Sequence, residues 1–484
     1  MIKKLKQLTQ HSAIYGAANV LNRTLAFLLL PLYTSYLTTS DYGILEIFVV
    51  SLNFLIIFLP LGLNSAVFAF VLYSNEQDPQ KVISSSFHFL FFFAGLGSFL
   101  LYTFSPNLSF LIFANSALVT PFQIISITVF FECLGLIPLA KLRIENRATT
   151  YAVLNTSKFT LNLLLNIYFV VYANAGIEGI LKAGMISAGL TTFLGLFFII
   201  KDLKIRFSWS LLRDMLKFGA PLVPSGIAIS ILTLSDRYFL KYLSTLNELG
   251  LYSFGYRFGM ILTFLTAAFQ TAWPTFLFSI AKEENAKSIY AKLLTYYVAL
   301  LFFLFLLIAI LSKDVIKFIS TPQYHSAYKV VPLILLSYIC YGVYYMTAIG
   351  VNLKRKTHFL PLIIGAAAAL NLLLNYLFIP KYGMMGAAAA TFICYFLMVI
   401  GTSKLSLYYY YIRYELDRIV KVAFVAFVIY FSSFFIQIKE VVLAIVLKLL
   451  LISLYPFLLY LMKFYQAQEI ANFKNLYKKI LNSD

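Results

Sequence analysis

Charge is what this chain lacks most. Asp, Glu, Lys and Arg make up 12% of its 484 residues, about half of what a soluble domain carries. A water-soluble globule is excluded on that ground. Cysteine is nearly absent. Cys133, Cys340 and Cys394 sit in apolar runs at unrelated spacings, so neither a disulfide framework nor a metal-binding spacing is expected. The four histidines, His11, His88, His325 and His358, are scattered, which argues against a zinc site. No G-x-x-x-x-G-K-[ST] occurs, so an ATP phosphate loop is excluded. Acids number 19 against 38 basic residues, for a net charge of +19. On a soluble domain that excess would point to nucleic acid. Here it is read as an orientation signal in a membrane, and no nucleic-acid partner is expected.

Apolar residues are what the chain has instead: 61% of it, with a mean hydropathy of +0.85. A spanning helix needs about 20 mostly apolar residues. Fourteen apolar segments stand out, at roughly 12–37, 42–74, 83–104, 117–140, 151–173, 178–200, 217–243, 248–279, 289–312, 326–352, 359–379, 383–408, 419–437 and 441–462. The first is expected to be a retained span, because it is too long for a leader core and contains Arg23. Basic residues gather in alternate connections. Lys141, Arg143 and Arg147 follow span 4, Lys201, Lys204, Arg206 and Arg213 follow span 6, and Lys354, Arg355 and Lys356 follow span 10. This asymmetry predicts cytoplasmic termini and cytoplasmic even-numbered loops. The fold expected is an all-α polytopic membrane protein of about 14 transmembrane helices.

The chain also repeats itself. LNLLLN occurs at 161–166 and again at 370–375. Gly43, Gly176 and Gly179 match Gly250, Gly383 and Gly386, each 207 residues on. That offset covers six spans, so the copies share one orientation, as in transporters built from parallel repeats. The expected division is a six-helix half over 1–208, a second over 209–412, and appended spans 13 and 14 with a basic tail over 413–484. The bland reading of Asn371 and Asn375 is helix packing. In the first copy Asn155, Lys158, Asn162 and Asn166 form one polar stripe down span 5, which suits a wet cavity.

Ionisable groups at membrane depth cost a few kcal/mol each and normally face a cavity or a partner. The candidates for binding an anionic cargo are Arg23, Arg257, Lys158 and Arg237, with Asn19 one turn from Arg23 and Asn162 on the span 5 stripe. Guanidinium groups suit phosphate oxygens in bidentate fashion. The carboxylates available for ion coupling or gating are Glu132, Glu46 and Asp236. Glu132 lies mid-span between Phe131 and Cys133, which would desolvate it. The competing reading of these charges is internal ion pairing, for instance Arg23 with Glu46. Lys448 is expected to be lipid-facing, with its ammonium snorkelled, and Lys182 to be structural. Pro221 and Pro224 are the candidate hinge.

PLYTSYLTTSDYGILEIF, KFGAPLVPSG and DRYFLKYLSTLNELGLYSFGYRF together resemble the Wzx-type polysaccharide and O-antigen flippases of the multidrug/oligosaccharidyl-lipid/polysaccharide (MOP) exporter superfamily. The resemblance covers the whole chain. It implies transfer of polyprenyl-diphosphate-linked oligosaccharide across a bacterial inner membrane by alternating access, through a cationic central cavity to which Arg23 and Arg257 would contribute. It implies membrane lipids and the pathway's polymerase and chain-length proteins as partners, and no cofactor beyond a coupling proton or sodium ion. Related lipid II flippases are expected to carry an arginine on span 2. Glu46 stands on that span here, which argues against a peptidoglycan precursor as cargo.

Two other classes compete. A drug or cation antiporter of the same superfamily would have twelve spans and an interior richer in carboxylates. An integral-membrane polymerase or ligase would need a large outer loop with catalytic groups. The longest outer segment, SKDVIKFISTPQYHSAYK, offers only Asp314 and His325.

Overall fold

The computed structural model describes residues 27–72, 78–203, 207–436, 438, 440–467 and 469. Among them there is no strand. The helices are α1 (Phe27–Tyr36), α2 (Thr39–Phe58), α3 (Leu63–Leu72), α4 (Pro79–Thr103), α5 (Ser105–Phe113), α6 (Val119–Ile144), α7 (Ala148–Ile167), α8 (Gly176–Ile199) and α9 (Trp209–Gly219). They continue with α10 (Val223–Leu243), α11 (Leu246–Gly259), α12 (Leu262–Ser279), α13 (Ala286–Ile319), α14 (Val331–Thr347), α15 (Ile349–Leu353), α16 (Phe359–Tyr409), α17 (Leu416–Ser432) and α18 (Val441–Leu461).

Ten helical stretches among the described residues are long and apolar enough to cross a membrane. The molecule is an all-α, multi-pass membrane protein. The remaining apolar segments also find helices. α1 is the described end of the first. α7 is 20 residues long but carries the polar stripe. The segment 248–279 is split into α11 and α12 at Met260–Ile261. α16 has 51 residues, far more than one bilayer needs, and breaks at Gly383, where φ is +53° and ψ −132°. It therefore accounts for two segments.

The chain forms two compact units. The first takes the described parts of 1–253 with 319–323 and 364–387. Within it α6 packs on α4 and α8, α7 on α8, α2 on α10, and α3 on α9. The basic connection after span 6 contains a helix, α9, that span counting passed over. Ser208 caps it by accepting from the Leu211 amide at 3.4 Å. Leu211, Leu212 and Met215 are buried in a core with Leu63, Val82 and Ile137, while Arg213, Asp214 and Lys217 are exposed. That amphipathic split is why so polar a stretch folds.

The second unit takes 254–318, 324–363 and the described parts of 388–484. The appended helices dock on α13. Tyr455 donates to Ala299 O at 3.0 Å, and Lys448 Nζ lies 2.5 Å from Asp314 Oδ2. Lys448 is thus buried in an ion pair, not snorkelled toward lipid. The pairing partner sits 134 residues away in sequence. Pro221 lies in the turn between α9 and α10, and Pro224 at the first turn of α10. That position tolerates proline without a kink.

After α18 the chain returns to the start of α17. Arg418 donates to Glu415 at 2.8 Å and Glu469 at 2.9 Å, and its guanidinium lies 4.5 Å from the Phe464 ring. Burial alone would raise the Glu469 carboxyl. The Gln466 amide, the Tyr296 hydroxyl and Arg418 outweigh it and hold the group below the usual carboxylate range. A depressed folded-state value means stability that is present above the ordinary glutamate value of about 4.3 and lost as pH falls through the folded one. The wild type should therefore be more stable than Glu469→Gln at pH 7, with the gap closing toward pH 3. A gap that does not change with pH would show that Glu469 acts by shape and not charge.

The sequence repeat has a structural counterpart in the first unit. Thr38 and Asp41 form a capping box at the start of α2, with Asp41 N donating to Thr38 Oγ1 at 3.1 Å. At an offset of 207, Glu248 N donates to Thr245 Oγ1 at 3.1 Å. Gly176 and Gly383 both have positive φ, +51° and +53°, a conformation glycine adopts at no steric cost. In both copies of LNLLLN the second Asn donates to the first: Asn166 to Asn162 Oδ1 at 3.0 Å and Asn375 to Asn371 Oδ1 at 2.9 Å. The LNLLLN offset is 209, not 207. The two extra residues of the first copy are absorbed where the helix winds a π turn over Tyr168–Tyr172 and bends at Asn174, with φ +48°.

Gly43 and Gly250 meet. A Cβ built on either would lie 3.2 Å from the other's amide nitrogen. Each would also clash with a carbonyl, Gly43 with Leu246 O and Gly250 with Thr39 O. Thr39 and Leu246 are themselves 207 residues apart, so the contact is reciprocal. Matched positions of the two copies touch backbone to backbone.

Candidate functional site

The stripe on α7 is the most coherent polar feature of the first unit. Its residues recur every three or four positions, so the helix presents them on one face. Lys158 Nζ reaches across to Glu132 Oε1 on α6 at 2.5 Å, with each side chain 26% exposed. One turn on, Asn162 donates to Ser187 Oγ of α8 at 3.3 Å. Beyond that, Asn166 is buried and its Oδ1 accepts from Tyr33 OH at 3.0 Å. The stripe thus grades from a half-exposed cation to a buried amide. Glu132 is not isolated between Phe131 and Cys133, as the sequence suggested. It is the counter-charge of Lys158.

Asp236 and Arg237 form a second centre on α10. Arg237 Nη1 donates to Asp236 Oδ1 at 2.7 Å and to Thr233 O at 2.7 Å. Tyr252 OH of α11 donates to Asp236 Oδ2, and the Arg237 guanidinium lies 5.3 Å from the Tyr252 ring. Both charged groups are buried. Beside them Ser235 donates to Asn371 Oδ1 at 3.2 Å, and Asn371 and Asn375 are fully buried. Buried charges survive only when paired and hydrogen-bonded, and this pair meets that condition.

Glu46 is buried on α2, which packs on α10. Ser51 Oγ and Tyr238 OH, 2.7 Å apart, join those two helices. Arg257 is half-buried on α11 and belongs to the second unit. Arg23 and Asn19 lie outside the described residues. Lys182 pairs with Glu178 at 3.3 Å within α8.

Sequence reasoning passed over several participants. Tyr33, Ser187 and Tyr252 supply hydroxyls to the two centres, and each looks like an ordinary span residue. Tyr252 was visible inside DRYFLKYLSTLNELGLYSFGYRF, sixteen residues after Asp236. Glu248 was also missed. It accepts from Met384 N at 2.9 Å and from Ser244 Oγ at 2.8 Å. It thereby caps the second half of α16 just after the break at Gly383, where amides have no intrahelical partner. Pro380, three residues before the break, lies inside the same helix.

A family model described as polysaccharide biosynthesis protein matches residues 35–329, more than half of the chain. The chain belongs to the polysaccharide biosynthesis protein family. The resemblance carried by its TTSDYG and KFGAPLVPSG motifs agrees with that membership. An uncharacterized membrane protein of Methanocaldococcus jannaschii is 23% identical over 438 residues, which is 82% of this chain and 83% of that one. A structure of the lipid II flippase MurJ in an inward closed conformation superposes with a TM-score of 0.75 at 16% identity, over 94% of this chain and 100% of the other. An inward-facing MATE family multidrug resistance transporter of the MOP superfamily gives a TM-score of 0.62 at 15% identity, over 83% of this chain and 95% of the other. At these identities the likeness is one of fold.

Proposed function

We propose that this chain is a flippase that carries a polyprenyl-diphosphate-linked oligosaccharide unit, of the O-antigen, capsule or exopolysaccharide kind, across the bacterial inner membrane by alternating access. The observation that supports this most is the combination of a polysaccharide biosynthesis family with the fold of a lipid-linked precursor flippase. The cargo has a diphosphate and a sugar head that cannot cross hydrocarbon unaided, and a tail that need not leave it. A cationic, hydrated path inside a helical membrane protein meets the first need.

In this reading the halves 1–208 and 209–412 move against each other, and both termini are cytoplasmic. Arg23, Arg257 and Lys158 meet the diphosphate, and Asn19 and Asn162 meet polar groups of the head. Arg237, held buried by Asp236, would join them only when that pair opens. Asp236, Glu46 and Glu132 are the carboxylates through which a proton or sodium ion would couple. Product is passed on to a polymerase with its chain-length protein.

A second reading is a MATE-like antiporter, favoured by the 0.62 superposition. One experiment separates them. Proteoliposomes holding the purified chain are loaded with a fluorescent undecaprenyl-diphosphate oligosaccharide, and its outer-leaflet fraction is read by a membrane-impermeant quencher. The flippase reading expects equilibration at least about tenfold faster than in protein-free vesicles. Ethidium efflux against a proton or sodium gradient, with no movement of the lipid, would establish the antiporter instead.

A further inference from the structure

The Lys158–Glu132 pair joins two helices, α7 and α6, and is more open than the buried pairs Arg237–Asp236 and Lys448–Asp314. Each of its side chains is 26% exposed, against 4% and 1% for Arg237–Asp236 and 8% and 16% for Lys448–Asp314. It is also thinly bonded. Asp236 accepts from Tyr252 and Arg237 donates to Thr233 O. Glu132 and Lys158 have, among the described residues, only each other. An ammonium has three donors and a carboxylate has about four acceptor sites. The rest of that capacity is open to a ligand, since each side chain is a quarter exposed.

The surroundings of Lys158 favour an anion with polar neighbours. Asn155 and Asn162 lie one turn to either side on the same face of α7. Asn155 donates to Tyr151 O at 3.0 Å and Asn162 to Ser187 Oγ at 3.3 Å.

We propose that Glu132 is a tethered stand-in for the cargo's phosphate. It holds Lys158 when no cargo is bound, is displaced when a phosphate oxygen takes its place, and returns to drive the phosphate off. This rests on the reading of the chain as a carrier of a prenyl-diphosphate cargo. A carboxylate fixed on α6 competes at the high effective concentration of an intramolecular group. A carrier must release what it binds, and a lone lysine at this depth would hold a diphosphate too long. The exchange swaps one anion for another, so Lys158 is never left without a counter-charge. The freed Glu132, a quarter exposed, can take water.

The consequence runs against intuition, because removing an acid from the site should strengthen binding and slow turnover. The test uses the full-length chain in nanodiscs, with farnesyl diphosphate as the probe and farnesol as the uncharged comparison. Glu132→Gln should bind farnesyl diphosphate about fivefold more tightly than wild type, the worth of one partly exposed charge pair, and release it more slowly. Lys158→Gln should bind it at least about fivefold more weakly. Farnesol binding should not change. A folded Glu132→Gln whose affinity for farnesyl diphosphate is unchanged or weaker overturns the proposal and leaves the carrier reading standing. So does a pair of variants with lowered thermal midpoints and wild-type affinity, since that is what a structural ion pair predicts. A wild type that does not prefer farnesyl diphosphate to farnesol overturns both. Should Glu132→Gln fail to fold, Glu132→Asp decides. A weaker competitor one methylene shorter should give a smaller tightening, and none would sink the idea.

Discussion

Alanine at Asp236 should cost this protein about 3 kcal/mol of stability, the loss typical when one partner of a buried ion pair is removed. Asp236 and Arg237 have side chains 1% and 4% exposed. Taking away the carboxylate removes a counter-charge from a buried guanidinium and an acceptor from the Tyr252 hydroxyl. The cost is chiefly that of the lost counter-charge, so it should depend on whether Arg237 remains. The double variant Asp236→Ala with Arg237→Met should recover most of the loss. Asp236→Asn, which keeps an acceptor for Tyr252, should fall between. Thermal inactivation of detergent-extracted protein measures all three. Equal stability of Asp236→Ala and wild type would show that Arg237 is satisfied by other groups, and that the Tyr252–Asp236 bond is not what joins α10 to α11.

Leucine at Gly250 should reduce transport at least about tenfold. The reason is geometric. Gly250 and Gly43 touch through their backbones, and a Cβ on Gly250 already meets Thr39 O and the amide of Gly43. Overpacking among side chains costs about 1–3 kcal/mol because side chains can yield. Two helix backbones cannot yield without parting. The reciprocal variant Gly43→Leu should give the same loss, since Leu246 O meets it in the matching way. Alanine at either site should do part of the damage. In the proposed topology these residues open spans 2 and 8 just beyond the first and seventh loops, so leucine would hold that seam apart. Export of surface glycan, or the quencher assay, reads the effect. Wild-type transport by Gly250→Leu, at normal protein levels, would mean the seam does not close during the cycle.

How much of this was legible beforehand differs from residue to residue. The repeat was visible as glycines at an offset of 207, because a glycine required by φ or by close approach cannot be replaced in either copy. Gly176 and Gly383 then prove to share a positive φ, and Gly43 and Gly250 to share a contact. The polar stripe of α7 was visible too, since spacings of three and four fix a helix face. Its counter-charge was not. Glu132 is 26 residues away on another helix, and nothing in its own neighbourhood shows which way α6 is rotated. Lys448 was misjudged for the same reason. On a single apolar helix a lysine is indistinguishable from a snorkelled one until Asp314 is placed beside it. α9 was hidden by its own charge, which reads as a loop until one face is given a core to sit on.

Sequence by itself determined that this protein lives in a membrane, that it is all helix, and that a set of its glycines recurs at an offset of 207. These follow from composition, run length and spacing, which are properties of local stretches. Only the tertiary structure decided which charges neutralise which. Each helix can turn about its own axis, and that rotation is set by packing against helices far away in sequence. A hydroxyl from Tyr33, Ser187 or Tyr252 and a carboxylate from Glu132, Glu248 or Asp314 acquire their partners only once those rotations are fixed.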